Sequence, residues 1–224
     1  MARWVCLDVG ETLIDETRVW STWADLLGIS RLTFMAALGA AIERGRDYGH
    51  VFDIVGAPDW RRRLGEVERL YDGFRSEDLY PDALPAMALL RQQGLRLAVV
   101  ANQPASRTAE LRALGVEAEV MAMSGELGVA KPDAAFFGRT LALLGSPDPA
   151  DVAYVGDRID NDVVPAAAAG MRAIWIRRGP WGVIPVKEPT EAALVVTSLL
   201  ELADRIGACW AGRAGAGRSG LSSS

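Results

Sequence analysis

The chain of 224 residues is half hydrophobic and 24% charged, a composition typical of a globular protein with one substantial core, or with a core and a small accessory domain. Its net charge of −5 disfavours a nucleic-acid partner, because a phosphate backbone is bound by a clustered positive field. We find no secretory signal, no apolar run of about 18 residues and no disulfide framework, so we expect a cytoplasmic protein without a membrane partner.

Short apolar segments, each followed by polar or glycine residues, predict buried strands. They lie at residues 4–8, 95–102, 120–123, 152–157, 172–176 and 194–196. Helical spacing predicts helices at residues 82–94, 106–115, 133–145, 162–170 and 198–207. Because strands and helices alternate, we predict an α/β fold with a doubly wound parallel sheet.

One long segment interrupts this alternation. Residues 17–77 contain no convincing strand, and their tryptophan and leucine side chains recur at helical spacing. We therefore predict an α/β core formed by residues 1–15 and 79–206, with a small all-helical domain at residues 16–78. The remaining residues, 207–224, are rich in glycine, alanine and serine and predict a disordered tail.

Polar residues follow the predicted strands at the edge where an open α/β sheet binds its ligands. Asp8 ends the first strand, Asn102 ends the second, Lys131 lies in the loop after the third, and Asp157 ends the fourth. Carboxylates bind hard divalent cations through oxygen, while a lysine and main-chain N–H groups neutralise an anion. The set therefore predicts a site for a divalent cation and an anionic substrate.

Four segments in chain order resemble the motifs of the haloacid dehalogenase-like hydrolase superfamily. They are "LDVGETL", "LAVVAN", "GVAKPD", and "YVGDRIDND" followed by "AAAAGM". The resemblance covers residues 3–14 and about 80–200, and the insertion after the first motif resembles the helical cap that many members carry. It implies a Rossmann-like core beneath a helical cap.

The same resemblance implies roles for individual residues. Asp8 is expected to attack phosphorus and form an aspartyl-phosphate, with Lys131 paired to Asp8 and to the phosphoryl oxygens. Mg²⁺ is expected to be held by Asp8, the Gly10 main-chain carbonyl and Asp157, with Asp162 as a further ligand or as an outer partner. The implied substrate is a small phosphorylated molecule.

Two residues depart from the family pattern. Gly10 stands where the family has the Asp that protonates the leaving group, a role that contributes about 10²–10⁴-fold in rate. Ala101 stands where the family has a Ser or Thr hydroxyl, although the Asn102 side chain and main-chain N–H remain available to bind phosphate. We therefore expect a substrate site formed by Ala101, Asn102 and Lys131.

Glu11 is a candidate replacement for the missing acid, since it lies one residue further along and has a longer side chain. In the alternative interpretation its side chain faces the cap hinge or solvent. Asp15 is interpreted as a hinge or helix-cap residue.

Three functions follow from these patterns. The intact lysine and metal set favours a Mg²⁺-dependent phosphohydrolase with an atypical or impaired proton-transfer step. The losses at Gly10 and Ala101 favour a non-catalytic protein that binds a phospho-ligand or a partner. A 2-haloacid dehalogenase also needs no acid at residue 10, but the acidic residues Asp157, Asp160 and Asp162 argue against it.

Overall fold

The computed structural model describes residues 2–185 and 187–213. Its sheet has six parallel strands: β1 (Trp4–Leu7), β2 (Arg96–Ala101), β3 (Val120–Met123), β4 (Val152–Gly156), β5 (Arg172–Ile176) and β6 (Leu194–Val196). The order across the sheet is β3-β2-β1-β4-β5-β6, so the direction of winding reverses at β1. The predicted doubly wound parallel fold is confirmed, and each strand end lies within one residue of its predicted position.

Eleven helices are present in the described residues. They are α1 (Thr17–Leu26), α2 (Arg31–Glu43), α3 (His50–Ile54), α4 (Leu64–Tyr71), α5 (Ala83–Gln92), α6 (Arg107–Ala113), α7 (Ser124–Leu127), α8 (Ala134–Leu143), α9 (Val164–Ala168), α10 (Gly179–Val183) and α11 (Leu199–Arg205). The described residues also include four 3₁₀ segments: Trp60–Arg63, Ser76–Asp78, Pro149–Asp151 and Ile206–Arg213. None of the described helices is long and apolar enough to cross a membrane by itself; α1 and α2 pass that test only as a pair, with a bend of 115° between them.

The strands are buried because both faces of the sheet are covered. In β1, Val5 and Leu7 contribute to one apolar cluster, which also contains residues of α5 and α11. Trp4 and Cys6 point to the opposite face and pack with residues of α8 and α9. This alternation explains why the strands appear in the sequence as nearly continuous apolar runs.

Three local features were not predicted. Helices α7 and α10 were missed, since four and five residues are too few for helical periodicity to be seen. The predicted helix at 162–170 instead consists of a π-helical turn, Ile159–Val163, followed by the short α9. Two residues separate the turn from the end of β4, and the turn contains Asp160 and Asp162.

Helices α1 to α4 form a helical unit that packs around an apolar cluster of its own. Its buried members include Trp20, Trp23, Phe34, Leu38, Phe52 and Trp60. Trp181 of α10 joins this cluster, and its ring centroid lies 6.0 Å from that of Trp20. A segment predicted to belong to the α/β core therefore helps to build the helical unit, and the division at residues 15 and 79 stays a prediction.

Two antiparallel segments, residues 13–15 and 78–80, connect the helical unit to the sheet. The Asp15 N–H donates to the Asp78 carbonyl at 2.8 Å, and the Tyr80 N–H donates to the Leu13 carbonyl at 2.9 Å. Ile14 and Leu79 form an isolated antiparallel bridge between the same two segments. The entry and exit of the helical unit are thus held together as one connection.

The predicted tail disorder is wrong for the first part of the tail. Residues Ile206–Arg213 form a 3₁₀ helix in which Cys209 and Trp210 are buried against the sheet. The Trp210 Nε1 group donates to the Ala150 carbonyl at 3.1 Å. The prediction of disorder rested on the many glycine and alanine residues of this segment and overlooked the apolar side chains of Cys209 and Trp210. Residues 214–224 lie outside the described part of the chain.

Candidate active site

Three charged side chains form a continuous buried ion-pair network at the carboxyl edge of the sheet. The Nζ atom of Lys131 lies 2.8 Å from Oδ1 of Asp8 and 2.6 Å from Oδ1 of Asp162. Asp8 follows β1, and its main-chain N–H donates to the Val155 carbonyl at 2.9 Å, which holds this loop against β4. Residues predicted from three separate motifs therefore meet at one point.

Asp157 adds a third carboxyl group to this point. Carboxylate oxygens of Asp8, Asp157 and Asp162 all lie within 4.8 Å of one another. Asp157 is buried, and no group in the described part of the chain makes a hydrogen bond to its Oδ2 atom. Three buried carboxyls face a single ammonium, and a buried charge without a partner is unfavourable. An all-oxygen, electronegative set of this kind fits a hard divalent cation.

A π-helical turn brings Asp162 back against the end of β4. Its Oδ2 atom accepts a hydrogen bond from the Arg158 N–H at 3.0 Å. A Cβ atom on Gly156 would lie 2.3 Å from Cγ of Asp162, so the absence of a side chain at residue 156 permits this approach. Trp175 holds the preceding loop, because its Nε1 group donates to the Asp157 carbonyl at 2.8 Å.

The crowding of charge is reflected in the pKa values of the site. Burial raises the pKa of Asp8 to about 6, although the Lys131 ammonium acts in the opposite direction. Burial and the charges of Asp162 and Asp8 raise the pKa of Asp157 well above its usual value. Burial alone would lower the pKa of Lys131, but the carboxylates of Asp162 and Asp8 outweigh it, and the pKa lies well above its usual value. The lysine therefore carries its charge throughout the physiological pH range.

Asn102 contacts the main chain of Lys131 through both of its polar side-chain atoms. Its Nδ2 group donates to the Lys131 carbonyl at 2.9 Å, and its Oδ1 atom accepts from the Lys131 N–H at 2.8 Å. Asn102 follows Ala101, the buried last residue of β2. The side chain thus fixes the loop that carries the lysine, and its expected contact with phosphate stays a prediction.

Glu11 is buried at the connection to the helical unit. Its Oε1 atom accepts from the Glu16 N–H at 3.1 Å, and its Oε2 atom accepts from the Tyr80 hydroxyl at 2.5 Å. Its backbone has a φ of +50°, in the left-handed region. This geometry matches the alternative interpretation in which Glu11 faces the hinge, and its catalytic role stays a prediction.

The space beside Gly10 is filled by Glu16, a residue that the sequence motifs did not indicate. A Cβ atom on Gly10 would lie 2.4 Å from Oε1 and 2.8 Å from Cδ of Glu16. Burial, followed by the charges of Glu11 and Asp8, raises the pKa of Glu16 to about 8. A signal was available, since three acids follow the vacated position in "ETLIDE", but their spacing does not tell which of them turns back toward it.

A cavity of about 630 Å³ lies over these residues, between the sheet edge and the helical unit. Asp8, Lys131, Asp157 and Glu16 line one side, and Trp20 and Tyr48 of the helical unit line another. The set of lining groups combines buried carboxyl groups, a fixed cation and aromatic surface. It suits a small anionic molecule held between the two units.

Comparison with known proteins shows similarity to one group of enzymes. A family model described as haloacid dehalogenase-like hydrolase matches residues 2–170. Phosphoserine phosphatase from Thermus thermophilus is 36% identical over 127 residues, covering 55% of this chain and 50% of that protein. Glyceraldehyde 3-phosphate phosphatase from Methanopyrus kandleri is 37% identical over 105 residues, covering 46% of this chain and 45% of that protein. The chain spans about half the length of the curated relatives it matches.

Similarity in fold extends over nearly the whole molecule. The crystal structure of a HAD phosphatase from Thermococcus onnurineus aligns with 92% of this chain and 98% of its own, with a TM-score of 0.60 and 24% identity. At that identity the alignment shows a shared fold. The alignment leaves out only a small part of this chain.

Proposed function

This chain belongs to the haloacid dehalogenase-like hydrolase family, and from that membership we propose that it is a Mg²⁺-dependent phosphohydrolase of a small phosphorylated metabolite. The observation that carries the proposal is the contact of Lys131 with both Asp8 and Asp162 beside the carboxyl of Asp157. The two curated relatives described above both carry the name of a phosphatase, which supports a phosphate ester as the substrate class. The cavity volume of about 630 Å³ supports a small substrate.

The reaction uses Asp8 as the nucleophile. Its carboxylate attacks phosphorus and forms an aspartyl-phosphate while the ester P–O bond breaks, and the departing oxygen takes up a proton and leaves as an alcohol. Water then loses a proton and attacks phosphorus, the bond between phosphorus and Asp8 breaks, and inorganic phosphate leaves with the carboxylate restored. Lys131 fixes one oxygen of Asp8 and supplies positive charge beside the phosphoryl oxygens. Asn102 holds the main chain of Lys131 and so keeps the ammonium in position.

Asp8, Asp157, Asp162 and the Gly10 carbonyl are the groups that we propose to hold Mg²⁺. When bound, the cation supplies positive charge that neutralises phosphoryl oxygens and the neighbouring carboxylates. The orphaned Oδ2 atom of Asp157 supports this assignment, because a bound cation would give it a partner.

Release of inorganic phosphate from a panel of alkyl, sugar and aryl phosphates tests the proposal. We expect turnover of at least one member, complete dependence on added Mg²⁺, and loss to background in Asp8→Asn, which keeps the side-chain shape but removes the nucleophile. Turnover that persists in EDTA, or in Asp8→Asn, would contradict the proposal.

Two other outcomes would identify different functions. The replacements at Gly10 and Ala101 favour a non-catalytic binder, which would bind beryllofluoride with Mg²⁺ yet release phosphate from no member of the panel. Chloride release from a 2-chloro acid in the presence of EDTA would instead indicate a dehalogenase. Either result replaces the phosphohydrolase assignment.

A further inference from the structure

A phosphohydrolase of this kind needs a group that moves protons on the leaving-group side of Asp8, and the residue two positions after Asp8 is a glycine without such a group. The position beside Gly10 is nevertheless occupied by a carboxyl. The Oε1 atom of Glu16 lies 2.4 Å from where a Cβ atom on Gly10 would be, closer than two separate side chains can come. Gly10 and Glu16 therefore share one space, and a carboxyl from residue 16 fills the volume in which a side chain at residue 10 would begin.

The main chain fixes the direction of Glu16. The residue immediately precedes α1, and its carbonyl accepts the Trp20 N–H at 3.1 Å, which begins the helix. Its own N–H donates to Oε1 of Glu11, and the Tyr80 hydroxyl holds the other oxygen of Glu11. Glu11 thus anchors the start of the helix from which Glu16 reaches back.

Glu11 and Glu16 differ in the availability of their carboxyl groups. Glu11 is 4% exposed, and protein donors contact both of its oxygens. Both residues line the cavity together with Asp8 and Lys131, but Glu16 is only half-buried, and its carboxyl lies in the space beside Gly10. A leaving group bound over Asp8 can therefore meet the carboxyl of Glu16, whereas the carboxyl of Glu11 is already used by the hinge.

We propose that Glu16 is the proton-transfer residue of this enzyme and replaces, from the start of α1, the acid that residue 10 lacks. The inference rests on the proposed phosphohydrolase function. It assigns to Glu11 the part of a positioning residue, which acts through the main chain of Glu16.

The proton balance of the two steps is explicit. While the Asp8 carboxylate attacks phosphorus and the ester P–O bond breaks, the Glu16 carboxyl gives its proton to the departing oxygen, so an alcohol leaves. In the second step the Glu16 carboxylate takes a proton from water as the water oxygen attacks phosphorus. The bond between phosphorus and Asp8 breaks, inorganic phosphate leaves, and both side chains return to their starting states.

Rapid mixing of Glu16→Gln with p-nitrophenyl phosphate separates the two steps. Nitrophenolate leaves without a proton, so attack by Asp8 should remain fast, while hydrolysis of the aspartyl-phosphate loses its base. We expect a burst of about one equivalent of nitrophenolate followed by turnover reduced about 10²–10⁴-fold. With glycerol phosphate, whose leaving group needs the proton, no burst of glycerol should appear and kcat should fall by a similar factor.

Moving the carboxyl group from residue 16 to residue 10 tests whether these two residues share one space. Gly10→Asp alone would collide with Glu16, whereas Gly10→Asp combined with Glu16→Ala places one carboxyl in the same volume. We expect the double variant to turn over glycerol phosphate at least tenfold faster than Glu16→Ala alone. Glu43→Gln, the same chemical change as Glu16→Gln at an exposed residue at the end of α2, should behave as wild type.

Two results overturn the assignment. Wild-type turnover of both substrates by Glu16→Gln, with Asp8→Asn inactive, rejects Glu16 while leaving the phosphohydrolase function intact. An equal loss of the burst and of steady turnover in Glu16→Gln, without rescue in the double variant, indicates a structural role. Failure of the phosphohydrolase function itself is distinct, since Asp8→Asn and wild type would then be indistinguishable.

Discussion

Gly156 shows how one missing side chain positions a carboxyl group in the site. It ends β4, and Asp162 returns against it through the π-helical turn. A Cβ atom at residue 156 would approach Cγ, Oδ2 and Cβ of Asp162 to between 2.3 and 2.6 Å. Asp162 is a short side chain on a tightly turned backbone, so it has little room to move away. The contact of its Oδ1 atom with Lys131 depends on this space.

Gly156→Ala should therefore displace Asp162 and weaken binding at the proposed Mg²⁺ site. Changes in groups that orient metal ligands typically cost 10–100-fold in affinity or activity, and we expect a loss of that size in Mg²⁺ affinity. Calorimetric titration with Mg²⁺ measures it without relying on turnover. Gly138→Ala is the matched control, because a Cβ atom at Gly138 in α8 would meet no atom within 4 Å. An unchanged Mg²⁺ affinity in Gly156→Ala would argue against a part for Asp162 in holding the cation.

Among the contacts between elements, Arg18 of α1 binds Asp78, which lies where the chain leaves the helical unit. Its Nε group donates to Oδ1 of Asp78 at 2.8 Å, and its other nitrogens contact Oδ2 of Asp78 and the carbonyls of Tyr71 and Gly73. Asp78 is 3% exposed and also accepts the Arg75 N–H at 2.8 Å. A largely buried, multiply bonded pair of this kind contributes more than a surface ion pair, because breaking it leaves a charge without a partner.

We expect Asp78→Asn to lower the free energy of unfolding by about 1–3 kcal/mol at neutral pH. Burial pushes the pKa of Asp78 up, but the hydrogen bonds from Arg18 and the Arg75 N–H outweigh it and hold the pKa below its usual value. The unfolded chain therefore binds the proton more readily, and the stabilisation is present above the unfolded pKa of about 4 and is lost as pH falls through the folded pKa.

Urea denaturation of wild type and Asp78→Asn across pH measures this difference. The gap between the two should be constant near neutral pH and close progressively in acid. Asp59→Asn is the control, since the Asp59 side chain is 79% exposed and its contact with the Arg62 side chain is distant, at 3.9 Å. A gap that widens as the pH falls would mean that the Arg18 contact does not hold the Asp78 charge.

The sheet was predictable because its apolar runs can be seen locally in the sequence, and because apolar clusters cover both faces of the sheet. The sequence also predicted that Asp8, Lys131 and Asp157 lie close together, because they follow parallel strands that end at the same edge of the sheet. The position of Glu16 was not predictable, because its approach to Gly10 depends on a hinge held by Tyr80, which lies far along the chain. Trp181 likewise joins the helical unit through tertiary packing that its own segment does not indicate.

The 3₁₀ segment Ile206–Arg213 packs against the first strand of the sheet. Trp210 is 5% exposed and packs in the same cluster as Val5 and Leu7 of β1, and its ring centroid lies 4.8 Å from the guanidinium carbon of Arg3. The segment therefore covers part of one face of the sheet. Because the segment follows α11 without an intervening loop, packing it against the sheet costs little loop-closure entropy.

Trp210→Ala should lower the free energy of unfolding by about 3–5 kcal/mol, the usual cost of deleting a buried aromatic side chain. The lost hydrogen bond from Nε1 to the Ala150 carbonyl adds to the lost apolar contacts. Far-UV circular dichroism in a urea titration measures the change without depending on tryptophan fluorescence. Leu200→Ala is the control, since Leu200 in α11 is 44% exposed and should change stability by less than about 1 kcal/mol. A Trp210→Ala protein as stable as wild type would show that residues 206–213 do not contribute to the core.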